Sequence, residues 1–217
     1  MVAQLEIYWL GHAAFKLKTS KGLLIYLDPY QIKKGSEKAD LIVSTHSHFD
    51  HFSAKDVKKL WKDGTLLIGP KSCEAEMNQF KGKFLEIGQT YEKKGVRVEL
   101  VPSYTIQKST HPKLNNWAGI LIHLGDISIY HAGDTERIPE MKDLATRNIT
   151  VELLPCGGTY TMDFEESTDA AVDIQPKKVI PMHNWNKDLN EFKEKLASKD
   201  PNIQVILLQE KGEPLRI

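Results

Sequence analysis

The sequence predicts an α/β fold of two mixed β-sheets packed face to face with helices outside. Three observations predict it. Short apolar runs with period-2 alternation recur along the whole chain. The order is strands followed by mixed β and α units, twice over. In each half a hydrophobic strand runs directly into a histidine: Ile42-Val43-Ser44-Thr45-His46 early and Val179-Ile180-Pro181-Met182-His183 late. A rigid strand fixes where the next residue points, so sheet proteins place chemistry at strand ends. Two facing sheets would bring these two ends together.

Taken in order, alternation marks strands at 5–10, 15–18 and 23–27, separated by Gly11 and by Ser20-Lys21-Gly22. The run at 41–44 ends abruptly in polar residues, and Ser53 can cap a helix to about Trp61 with Val57, Leu60 and Trp61 on one face. A strand at 65–68 closes at Gly69-Pro70, and a short helix runs to about Met77. Strands follow at 84–87 and 96–101. The segment 102–117 has neither period and is long enough to be a functional loop. Strands at 119–124 and 127–130 are joined by Gly125-Asp126, a hairpin turn pair. Then come a buried strand at 151–154, a helix at 163–174, a strand at 178–180, a helix at 189–197 and a last strand at 203–209.

The 217 residues are enough for one larger domain or two small ones, and 41% hydrophobic content excludes disorder for most of the chain. No linker rich in Pro, Gly or Ser divides it, so residues 1–217 read as a single domain of two similar halves. Lys+Arg and Asp+Glu balance at 29 each. Zero net charge gives no general field for a polyanion, so a small-molecule substrate is expected and nucleic acid is not. The longest apolar stretches, at 118–122 and 205–208, fall far short of a spanning helix. The N-terminus has no basic n-region, so the protein is expected in the cytoplasm. Cys73 and Cys156 lack a CxxC spacing and read as reduced structural thiols.

The chemistry concentrates in Thr45-His46-Ser47-His48-Phe49-Asp50-His51, where four candidate metal ligands fall within six residues between a buried strand and a capped helix. One tight loop cannot send all four side chains to a single ion without strain. His46 and His48 on one side, with Asp50 and His51 on the other, suit two neighbouring ions. Paired ions usually share a carboxylate. Asp134, in Gly133-Asp134-Thr135 after the strand that ends in Tyr130-His131, is the leading candidate, although an Asp there can also simply make a turn.

THSHFDH at 45–51, YHAGDT at 130–135 and IPMH at 180–183 together resemble the metallo-β-lactamase superfamily. YWLGHAAF at 8–15, LDPY at 27–30, HPK at 111–113 and LLPCGGTYTM at 153–162 resemble its branch of small metal-dependent hydrolases related to L-ascorbate-6-phosphate lactonase. The resemblance spans nearly the whole chain. It implies a four-layer αββα sandwich. It also implies that His46, His48 and a later histidine hold one ion, that Asp50, His51 and His183 hold the second, and that Asp134 bridges them. His111, in the loop after the strand at 96–101, stands where the family places the later histidine. His12 and His131 match branch motifs outside the ligand pattern and are expected to orient ligands or serve structure. Asp28, at a strand end, can orient a ligand histidine. His123, between Ile122 and Leu124, reads as an ordinary strand histidine. The branch usually has Tyr-Asn where this chain has Tyr104-Thr105, often Phe where it has Thr110, and commonly an aromatic where it has Asn184. These departures bear on substrate more than on metal.

The resemblance implies a hydrolase in which a hydroxide bridged between two divalent ions attacks an ester, lactone or phosphoester. Asp134 would fix the bridge, and Asp50 would orient the hydroxide. Zinc is the default from His and Asp ligands, and manganese or iron also suit a set without thiolate. Tyr104 and Tyr160 are candidate partners for the oxyanion or the leaving group. Lys108 and Lys113, beside His111, would suit an anionic substrate such as a sugar phosphate. Three rivals stand beside this reading: a phosphodiesterase or nuclease on the same core, an oxygen-handling di-iron protein of the kind that carries Glu where this chain has His48, and a metal-binding protein without turnover.

Overall fold

The computed structural model describes residues 5–217; the first four residues, part of the N-terminal stretch read for a leader, lie outside them. Two units can be distinguished: the described residues up to Glu86 together with Leu208–Ile217, and Ile87–Leu207.

In the first unit, seven strands form one mixed sheet. In chain order they are β1 (Leu5–Gly11), β2 (Ala14–Thr19), β3 (Leu24–Leu27), β4 (Leu41–Val43), β5 (Leu66–Pro70), β6 (Lys83–Leu85) and β14 (Leu215–Arg216). Their order across the sheet is β14-β1-β2-β3-β4-β5-β6. β1 to β3 form an antiparallel meander, and β3 to β6 pair in parallel. In β1 and β2 alternation puts Leu5, Ile7 and Leu17 inside, whereas β3 and β4 are buried throughout, as parallel interior strands require. Helix α1 (Ala54–Leu60) starts where expected: Ser53 Oγ accepts from Asp56 N at 3.3 Å. Val57 and Leu60 are fully buried, worth about 1.5–3 kcal/mol each. A single turn, α2 (Glu74–Met77), follows Pro70.

In the second unit the strands are β7 (Thr90–Lys93), β8 (Val96–Pro102), β9 (Ala118–Leu124), β10 (Ile127–His131), β11 (Val151–Pro155), β12 (Lys178–Met182) and β13 (Gln204–Val205). They lie in the order β13-β12-β11-β10-β9-β8-β7. The hairpins β7 to β10 are antiparallel, and β10 to β13 are parallel. Helix α3 (Phe164–Ile174) is capped by Asp163, which accepts from Glu166 N, and α4 (Leu189–Lys199) by Asp188. Their inner faces meet through Phe164 and Phe192, edge to face at 5.9 Å, in a core with Tyr130, Leu154 and Ile174.

Three expectations change. The strand read at 203–209 is only Gln204–Val205, because its apolar run is divided: Ile206 N bonds Val179 O, while Lys211 N bonds Trp9 O in the other unit's sheet. Strand β7 was hidden by its polar sequence, Thr-Tyr-Glu-Lys at a sheet edge, and is held by a turn with both Lys94 and Gly95 at positive φ. Residues Pro139–Arg147 form 3-10 turns that bury Met141 and Leu144. Among the described residues no helix is long and apolar enough to cross a membrane. Cys73 and Cys156 are free and buried.

Candidate metal centre

In the first unit the pairing Leu27↔Val43 sets Asp28 beside the residues that leave β4. Asp28 is fully buried and accepts three hydrogen bonds from one loop. Thr45 N donates to its Oδ1 at 2.7 Å, and Thr45 Oγ1 and His51 Nδ1 both reach its Oδ2 at 2.7 Å. Because the Thr45 hydroxyl gives its proton to Asp28, His46 Nδ1, 2.9 Å from that hydroxyl, is the donor in their contact. Assigned from this network, both His46 and His51 carry hydrogen on Nδ1 and present a lone pair at Nε2, the tautomer a metal ligand needs.

The loop itself is tight: His51 N and Phe52 N both bond His48 O. It brings His46 Nε2 to 3.1 Å from His48 Nδ1 and tilts the rings of His46 and His51 together at 4.1 Å. His12, at the β1–β2 turn, meets Asp50 Oδ2 through Nε2 at 3.0 Å and stands edge-on to His51 at 5.3 Å. Burial works to raise the Asp50 pKa, but the His12 hydrogen bond and the nearby His51 outweigh it, so the carboxyl lies below its ordinary value.

In the second unit His111, Asp134 and His183 come together. His111 Nε2 lies 3.2 Å and His183 Nε2 3.3 Å from the same oxygen, Asp134 Oδ2, and all three residues are buried. Each is presented by a loop that closes at a strand end. Gly133 N donates to His131 Nδ1 at 3.1 Å, so buried His131 shapes the turn that delivers Asp134. Ser103 Oγ holds the same turn through Ala132 O. Thr105, where the branch usually has Asn, closes the His111 loop: its N donates to His111 O at 2.7 Å, and its hydroxyl accepts from His111 N. His183 follows β12 in the left-handed region, φ +51°, as do Trp185 at +49° and Asn186 at +60°. Such a backbone costs an L-residue roughly 1–2 kcal/mol each and is concentrated at functional sites.

Two ligands held at about 2.1 Å by one tetrahedral ion stand roughly 3.4 Å apart. The ligand-atom separations within each unit, 3.1 Å for His46–His48 and 3.2 and 3.3 Å onto Asp134, match that edge. The donor set of imidazoles and carboxylates therefore fits divalent ions.

In the structure neither Tyr104, a candidate partner for an oxyanion or leaving group, nor Lys113, a candidate contact for an anion, stands free. Instead the Tyr104 hydroxyl donates to Glu140 Oε2 at 2.9 Å, and Lys113 Nζ bonds both Glu140 Oε1 and the Tyr104 hydroxyl. Lys108 is paired with Glu136 at 2.9 Å. Both cations are paired with carboxylates of their own unit, which weakens the field they would offer an anion. Tyr160 is 44% exposed and stands 6.0 Å from Trp185, ring to ring. His123 lies in β9 with Ser128 at 3.0 Å, and burial lowers its pKa.

Sequence reasoning missed Thr45 and Glu136. A hydroxyl directly before the His-x-His pair was the available signal for Thr45. Glu136 had none: it is buried, accepts from the backbone N–H of Ile106 and Gln107 and from Lys108, and so fastens the His111 loop from 30 residues away. Burial works to raise its pKa, and these donors win and lower it.

A family model described as a β-lactamase superfamily domain matches residues 6–183. A metal-dependent hydrolase of Methanoregula boonei is 34% identical over 218 residues, covering 94% of this chain and 95% of its own length. A solved structure from Parabacteroides distasonis, assigned as a metal-dependent hydrolase, is 31% identical with a TM-score of 0.87, covering 95% of this chain and 94% of its own. A metallo hydrolase of Ignicoccus hospitalis is 27% identical with a TM-score of 0.81, covering 99% of this chain and 98% of its own.

Proposed function

Starting from a chain that belongs to the metallo-β-lactamase superfamily, has its α/β fold and is a metal-dependent hydrolase, we propose that it hydrolyses an ester, lactone or phosphoester of a small molecule at a dinuclear centre. His46, His48 and His111 would hold one divalent ion, and Asp50, His51 and His183 the other. Asp134 would be shared. Zinc is the expected metal, with manganese or iron as alternatives for a set without thiolate. When bound, such ions polarise the scissile group and bring the pKa of a water toward neutrality.

The chain's own residues have definite tasks in this reading. Asp28 and Thr45 hold His46 and His51 in the tautomer that leaves Nε2 a lone pair. His12 fixes Asp50 through Oδ2, which would leave Oδ1 to face the second ion and help orient water. His131 shapes the turn that aims Asp134. No side chain need be the nucleophile. The observation that carries the proposal is the convergence of His111 Nε2 and His183 Nε2 on one oxygen of buried Asp134. A small substrate, rather than nucleic acid, suits the zero net charge. The free buried thiols suit a cytoplasmic setting.

Metal analysis of wild type and His48→Ala, followed by assays on lactones, phosphodiesters and thioesters, tests the proposal. Two ions per chain and hydrolysis of one class, both reduced in the variant, are expected. Full metal occupancy with no hydrolysis across the panel would replace the enzyme with a metal-binding protein.

A further inference from the structure

Trp185 is the unusual residue beside the ligands of the second unit. It is 52% exposed, yet its place is tightly determined. A Cβ built on Gly157 would come within 2.3 Å of its Cδ1 and 2.9 Å of its Nε1, so the indole lies directly on the Gly157 backbone, where only glycine leaves room. Its ring stands edge-on to His183 at 5.4 Å and to Tyr160 at 6.0 Å. Its own backbone is left-handed, a conformation that a bulky residue adopts only when its surroundings impose it. An indole that is pinned, strained and still half open to solvent is a surface prepared for something else to cover.

The chemistry of that something is set by what surrounds it. The neighbours in the chain are Asn184 and Asn186, both uncharged. Thr110 Oγ1 bonds Tyr160 O at 3.4 Å, joining the Tyr160 loop to the one that carries His111. That loop exposes Ile106 (61%) and Leu114 (89%), while its lysines are paired with Glu136 and Glu140. Exposed polar side chains, Gln107, Ser109 and Lys187 among them, flank these apolar ones; of the cations, Lys108 and Lys113 are paired with carboxylates and Lys187 lies over the Phe164 ring at 5.4 Å.

We propose that Trp185, with Tyr160, is the specificity platform of the site and takes an uncharged aromatic group of the substrate, stacked on the indole next to His183. This rests on the hydrolase reading for the identity of the site, and it replaces an anion held by lysines with an aromatic group held by stacking. Trp185 touches no reacting atom. It sets which substrate stays.

Paired hydroxamates on the metal-loaded protein test it without turnover. Benzohydroxamate and acetohydroxamate offer a metal the same chelating head and differ in the ring. By calorimetry, benzohydroxamate is expected to bind wild type roughly tenfold more tightly, the range that apolar groups give in specificity pockets. Trp185→Ala should nearly abolish the gap without changing acetohydroxamate, and Trp185→Phe should keep most of it. Equal preference in wild type and Trp185→Ala overturns the platform. If neither hydroxamate binds, the metal reading fails instead, and benzyl alcohol judges the platform by saturation-transfer NMR. Loss of its signal in Trp185→Ala supports the platform, and an unchanged signal overturns it. A dimer in sedimentation that Trp185→Ala converts to monomer also overturns it, since the surface would then belong to a second copy.

Discussion

Asp28 Oδ2 accepts the Nδ1–H of His51 at 2.7 Å, with both side chains fully buried. The same oxygen takes the Thr45 hydroxyl, so one carboxylate governs the orientation of two candidate ligands. Asp28→Asn keeps the shape and removes the charge, and its amide can present a donor where His51 needs an acceptor. Metal affinity should fall about 10- to 100-fold, as for other orienting carboxylates behind metal-bound histidines. Titration with a competing chelator measures it; unchanged affinity with an intact fold would show that Asp28 only packs.

Metal removal should destabilise the protein. An ion that binds the folded state alone, present at about 100 times its dissociation constant, adds roughly 2.7 kcal/mol, or about 5–10 °C in Tm for a chain of this size. Thermal melts with and without chelator should show that drop in wild type. In Asp134→Asn, which weakens the proposed shared ligand, the drop should be smaller.

Glu136 fastens the His111 loop through two backbone N–H groups and Lys108. Glu136→Ala leaves those donors without it, a cost of about 1–3 kcal/mol. Amide exchange at Ile106 and Gln107 should rise, and turnover should fall with the loosening of His111. Wild-type exchange rates at both amides would refute this link.

Glu152 lies in the middle of β11, between Tyr130 and Val179 on the neighbouring strands. It is fully buried, and neither carboxylate oxygen has a hydrogen-bond partner among the described residues. Burial pushes its pKa up to about 8. A group whose folded pKa is raised above its unfolded value keeps its proton in the folded state while the unfolded chain releases it. Its unfavourable contribution is therefore absent below about pH 4.5, grows as pH rises, and levels off above about 8. Its full size is on the order of a few kcal/mol. Urea denaturation of Glu152→Gln should show a stability gain over wild type that widens from pH 5 to pH 8; a constant difference would mean that Glu152 is ionised in the folded protein.

Much of the candidate site was legible because its signals are local. His-x-His-x-Asp-His follows a buried strand within a few residues, and Ser53 caps the next helix at a standard offset. His183 closes an apolar run that can only be a strand. The helices read at 163–174 and 189–197 likewise form, over Phe164–Ile174 and Leu189–Lys199. Where the pattern was polar or shared, as in β7 and in the run at 204–208, alternation had nothing to report.

By itself the sequence determined most of the strands and the types and spacing of the candidate ligands, since these follow from periods of two and 3.6 residues and from the chemistry of imidazole and carboxylate. Tertiary structure alone decided how those candidates are held. Asp28 reaches Thr45 across 17 positions, Glu136 reaches Ile106 across 30, and Gly157 makes room for Trp185 across 28. Contacts of that separation leave no periodic trace in the chain: strand register and loop closure create them. For the same reason the carboxylates that pair with Lys108 and Lys113, 28 and 27 residues away, left no sign in the sequence.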